Sequence, residues 1–156
     1  MEKNLSLINK SNEDDSISRI DISDIEGIRD KYKNDKIPED HYLSKVQAWY
    51  KAELDITLEK LFYAKKINKE KFKREAKIRI EKINNDFKDR FLDVKKDAVS
   101  ITASLESLTD KSVALLTKFQ EKNWPEEIKE RNVKIVMKEI KNMQDSILST
   151  MENDEI

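Results

Sequence analysis

Neither glycine nor proline stands anywhere between Pro38 and Pro125. A stretch of that length without its usual breakers is committed to α-helix. Through its second half, apolar residues return every seven positions, at Ile80, Phe87, Val94, Ile101, Leu108 and Leu115. Phe91, Ala98, Leu105 and Phe119 each follow a member of that row by four. A period of 3.5 places both rows on one side of a helix, where they form a seam for another helix.

Composition supports this reading. Charged residues make up 40% of the 156-residue chain and apolar residues 37%, against roughly 25% charged in ordinary globular domains. Apolar residues this sparse suffice for a core only because they are periodic, and a disordered chain has no reason to keep such a register. The net charge of −1 gives the chain as a whole no polyelectrolyte character. With no cysteine, disulfides, thiol catalysis and cysteine-based zinc sites are excluded.

Met1-Glu2-Lys3-Asn4 lacks a basic region followed by an apolar run, so no secretory signal is expected. Ala98–Leu105 is the longest uncharged stretch of the helical region, far below the ~20 residues of a membrane span. A cytoplasmic protein is expected, although a phage or injected protein would look the same. The bias toward Lys, Ile and Asn suits AT-rich coding and points to a bacterial or phage source.

Residues 1–37 differ from the rest and are expected to be a flexible acidic segment. Through Asp40, eleven acidic residues stand against seven basic ones, a net of −4. Glu13-Asp14-Asp15 is the densest acidic cluster. Ser23-Asp24-Ile25-Glu26 fits a capping box, which predicts a short helix over 24–33. Ile17, Ile20, Ile22, Ile25 and Ile28 would let this segment order on a partner.

Residues 38–156 are expected to form one helical domain. Pro38-Glu39-Asp40 and Trp124-Pro125-Glu126-Glu127 both read as helix starts, with proline in the first turn and carboxylates at the positive end of the dipole. The first helix carries Tyr42, Trp49, Ile56 and Tyr63 in one stripe and Leu43, Tyr50, Leu54 and Leu61 beside it. That face is broad enough for two neighbours. The expected fold is all-α, an antiparallel bundle or coiled coil of about three helices near 38–66, 70–122 and 125–152. The last helix, with Val133, Val136, Ile140, Met143, Ile147 and Met151, should fold back on the 94–119 half of the central one. Asn84 and Ser112 fall at seam positions, where a polar residue costs stability but fixes register.

Between 65 and 82, nine basic residues meet three acidic ones, a net of +6. Lys66, Glu70, Lys73 and Lys77 occupy the projected seam positions there, so the apolar row is predicted to lapse, with a break or bend near Asn68.

No catalytic, metal or cofactor set emerges. His41 is the single histidine, and Gly27 the single glycine, so there is neither a metal-ligand spacing nor a phosphate loop. Nucleophilic catalysis needs an activated nucleophile beside an oriented base, which a lone histidine does not provide. The expectation is a non-enzymatic assembly or adaptor protein acting through helix–helix contacts and forming homo-oligomers. Its partner seam would be Ile80, Phe87, Phe91, Val94, Ile101, Leu105, Leu108, Leu115 and Phe119, with Trp49 and Tyr50 as aromatic anchors. An alternative is a nucleic-acid-binding accessory protein that uses Lys66, Lys69, Lys73, Arg74 and Lys77, with Phe72 or Tyr63 stacking on bases. The same five cations could instead meet an acidic protein or the acidic N-terminal segment of this chain. A third reading is an inhibitor or chaperone of a single partner.

Overall fold

The computed structural model describes residues 22–64, 67–96 and 100–153. Glu13–Asp15, Ile17, Ile20, Lys66 and Ala98 lie outside that set. The described chain is all-α, with five helices: α1 (Ile22–Lys33), α2 (Glu39–Phe62), α3 (Lys69–Leu92), α4 (Ser100–Glu121) and α5 (Glu126–Asn153). It divides into two compact units, Met1–Ala52 and Glu53–Ile156, with the division inside α2.

In the first unit, α1 begins at Ile22, so Ser23 lies in its first turn and does not cap it. The helix closes without glycine. Lys36 N–H donates to Lys31 O at 2.8 Å and Asp35 N–H to Tyr32 O at 3.1 Å, the paired bonds of a Schellman end. Asp35 takes the left-handed position, φ 60°, which aspartate tolerates better than most residues. The turn stacks Tyr32 flat on Tyr42, with ring centroids 5.3 Å apart. Ile25 is fully buried.

Both proline starts are present. Pro38 O accepts from Tyr42 N–H at 3.3 Å and Pro125 O from Lys129 N–H at 2.8 Å, so each proline stands just ahead of its helix, where its missing N–H is not needed. The break expected near Asn68 also occurs, since α2 ends at Phe62 and α3 begins at Lys69. Asn68 restarts the chain as the N-cap of α3, its Oδ1 accepting from Glu70 N–H at 2.8 Å and Lys71 N–H at 3.4 Å.

Two expectations are overturned in the second unit. The single helix over 70–122 is two helices, α3 and α4, folded into an antiparallel hairpin. Lys69 faces Glu121 at one end, and Asn84 faces Leu105 and Thr109 further along. Seven-residue spacing survives the turn because both arms bury the same stripe against each other. Helix α3 unwinds without a breaker: Val94 and Lys95 N–H both return to Phe91 O, at 3.1 and 2.8 Å. Val94, counted in the seam, is therefore a half-exposed turn residue.

Nor does the apolar row lapse in the basic stretch. Phe72, Ala76, Ile80, Ile83, Asn84, Phe87 and Phe91 form a continuous buried face on α3. Projecting back by sevens lands on Lys73 and Lys66, whereas a helix of 3.6 residues per turn drifts away from that row.

Helix α4 is the middle helix, packed against both α3 and α5. Its buried arc is accordingly wide, running from Ile101, Leu105 and Leu108 round to Val113, Leu116 and Phe119. Leu115 is half-buried, and Ser112 and Leu116 take the place expected for it. Helix α5 returns antiparallel after the short turn at Trp124, burying Val133, Ile140, Gln144, Leu148 and Met151. The second half of α2 joins this group. Phe62 meets Phe119 edge-on at 5.1 Å, Gln120 Nε2–H donates to Leu61 O at 3.3 Å, and Lys141 Nζ lies 2.9 Å from Asp55 Oδ1.

Candidate interaction surfaces

Most of the expected seam closes inside the single chain. Ile80, Phe87, Phe91, Ile101, Leu105, Leu108 and Phe119 are all buried, each at most 4% exposed. The second neighbour that a broad seam requires is present in the same chain as α5. Trp49 and Tyr50, expected as partner anchors, are buried as well, and burial pushes the Tyr50 phenol well above its ordinary range. None of these residues offers a surface.

The basic stretch does offer one, though it uses other residues than the sequence singles out. Since the buried face of α3 runs through Phe72, Ala76 and Ile80, its opposite side carries Lys71, Arg74, Ile78 and Lys82, three or four residues apart and all exposed. Ile78 is 59% exposed, and Ile67, ahead of the cap, 38%. Among the described residues, Lys71, Lys73, Arg74 and Lys82 have no ion pair. The nearby acids Glu75 and Glu81 are engaged, with Arg79 at 2.6 Å and Lys77 at 3.9 Å. Of the candidates read from sequence, Lys69 and Lys77 are thus in ion pairs, Lys73 and Arg74 are not, and Lys66 lies outside the described residues. Lys71, Lys82 and Ile78 were missed, although the buried face at Phe72, Ala76 and Ile80 implies the row opposite.

Lys69 ties the base of the hairpin, its Nζ 2.5 Å from Glu121 Oε1. The hydrogen bond and charge of Glu121 raise the Lys69 ammonium. The same bond, then the Lys69 charge, hold the Glu121 carboxyl below its ordinary range, with Lys122 and Lys118 adding to the effect.

The two aromatics proposed to stack on bases do not serve this surface. Phe72 is buried at 3% exposure. Tyr63 is exposed, but its phenol is raised by partial burial and then by Glu130, Glu59 and Glu126, carboxylates that would repel phosphate.

A second surface runs along α5. Ile128, Ile135, Asn142 and Ser149 recur every seven residues on the side opposite Val133 and Ile140, all exposed, with Ile128 at 42% and Ile135 at 52%. This uncharged row is legible in the sequence by its seven-residue spacing.

A groove of about 450 Å³ lies between α3 and α4, lined by Lys77, Glu81, Asn84, Glu106, Thr109 and Asp110 among others. At its floor Asn84 Nδ2–H donates to Leu105 O at 3.2 Å and Thr109 Oγ1 at 2.6 Å, and Thr109 Oγ1–H donates to Leu105 O at 3.0 Å. These bonds clasp the hairpin. Among the described residues no three His, Cys, Asp or Glu side chains converge as metal ligands. His41 is exposed in the first turn of α2. No described helix is long and apolar enough to cross a membrane.

Compared with protein-family models, curated proteins and solved structures, the chain matches none.

Proposed function

We propose that this chain is a non-enzymatic helical assembly or adaptor protein that works by helix–helix contacts made from outward faces of a core closed within one chain. The row Ile128–Ile135–Asn142–Ser149 on α5 carries the reading. In a chain 40% charged, it is an exposed row without charge, flanked by Arg131, Lys138, Glu139 and Asp145, with two isoleucines at seam spacing. A polar residue at the third place of such a row is a familiar means of fixing register and partner.

Magnitudes constrain the kind of assembly. Burying the exposed half of one isoleucine is worth about 1 kcal/mol, so a symmetric α5–α5 contact gains about 4 kcal/mol from four of them. Association costs roughly 4–15 kcal/mol. Self-association through this row is thus weak, and a stable complex needs a partner that supplies further surface.

Lysine-directed cross-linking followed by mass spectrometry, in extract of the source cell, tests this. Links to a partner should concentrate on Lys134 and Lys138 of α5 and disappear in an Ile128→Ser/Ile135→Ser variant of unchanged helicity. Links spread evenly over the surface lysines and indifferent to that variant would contradict the reading.

A further inference from the structure

We infer that the outward face of α3 is a docking surface for an acidic protein segment that also carries apolar side chains. The inference rests on the reading of this chain as a protein-binding one and assigns a second face and a partner chemistry to it.

Charge and shape both point to that occupant. Lys71, Arg74 and Lys82 project from one side of α3, exposed and without an ion pair among the described residues. From Lys71 to Lys82 the helix rises ~16 Å, about three turns of a partner helix. Ile78 stands in the middle of the three cations at 59% exposure, with Ile67 at the helix start. A phosphate backbone would leave Ile78 uncovered. An acidic amphipathic helix both neutralises the cations and covers Ile78. Single-stranded nucleic acid would need a stacking surface, yet Phe72 is buried and Tyr63 stands among carboxylates. One isoleucine in the helix is also too little apolar area for a membrane-surface helix, which needs a whole apolar face.

Fluorescence anisotropy with four defined probes on the full chain decides the matter. The probes are a labelled Glu/Leu peptide with leucines at spacings of three and four, polyglutamate of equal length, a single-stranded oligonucleotide, and vesicles of phosphatidylserine and phosphatidylcholine. The Glu/Leu peptide should bind tightest, and more weakly at high salt. Reversing the three cations, Lys71→Glu with Arg74→Glu and Lys82→Glu, should weaken it about tenfold. Ile78→Ser should weaken it about fivefold and remove its advantage over polyglutamate. All four are surface substitutions, so circular dichroism should remain unchanged.

Oligonucleotide or vesicle binding at least as tight, lost in the same charge-reversed variant, would overturn the assignment to a protein partner. No binding of any probe at low salt would overturn the surface altogether. If peptide binding follows Ile128→Ser/Ile135→Ser instead, this surface is wrong while the protein-binding reading stands. Cross-links spread evenly over the surface lysines and indifferent to that variant, with peptide binding to α3 intact, would leave the reverse: the α3 surface stands and the α5 row does not.

Discussion

At the scale of single residues, two side chains carry measurable consequences. The Lys69–Glu121 pair contributes to the folded state between two pH limits. Because the Glu121 carboxyl is lowered, its contribution is present above the ordinary carboxylate range and is lost as pH falls through the lowered value. Because the Lys69 ammonium is raised, its contribution is present below the ordinary lysine range and is lost as pH rises through the raised value. Titration of the Glu121 side-chain carbon by NMR should give a midpoint below that of an exposed glutamate, and Lys69→Met should return it to normal. An ordinary midpoint in the unmodified protein would show that the pair does not form. Ser112 is the second case. It is fully buried on α4, and its Oγ has no hydrogen-bond partner among the described residues. A buried hydroxyl without a partner costs roughly 1–3 kcal/mol, so Ser112→Ala should raise stability to chemical denaturation by about 1 kcal/mol after the small loss of packing. A loss of stability would mean that a partner exists.

At the scale of elements, the α3–α4 hairpin is decided by Asn84. Its amide bonds to Leu105 O and Thr109 Oγ1 are available in one register, since sliding either helix by a residue carries the partners out of reach. Asn84→Ala leaves Leu105 O and Thr109 without this donor and should cost about 1–3 kcal/mol by denaturant unfolding. A cost within ±0.5 kcal/mol, the range of ordinary surface changes, would deny the clasp any role. The same hairpin marks what was legible in the sequence. Helix starts at Pro38 and Pro125 were readable because proline leaves few alternatives. Buried positions such as Ile80, Phe87, Leu105 and Leu108 were readable because periodicity reports burial whatever the partner. The turn that follows Leu92 was not. It has no glycine or proline, and its two arms remain in phase, so one long helix and a hairpin share one pattern. The end of α1 at Lys33 agrees with the helix expected over 24–33, although Asp35 takes a position where glycine is usual. Of the candidate surfaces, the basic stretch was visible as a charge run. Its outward row of Lys71, Arg74, Ile78 and Lys82 was obscured because projecting the seam by sevens misplaced the buried face.

At the scale of the whole molecule, the apolar seam of the second unit is filled from within the same chain. The sequence pointed to homo-oligomers because its seam is too broad for one partner helix, and α4 meets that need by packing between α3 and α5. What remains outside is a weakly apolar row on α5 and a cationic row on α3, faces suited to contacts that form and dissociate. The most direct measurement is light scattering combined with thermal unfolding over a wide range of protein concentration. A particle near 18.4 kDa at micromolar concentration, with a melting temperature independent of concentration, is the expected result. An obligate oligomer, whose melting temperature rises with concentration because folding and association are one step, would contradict it.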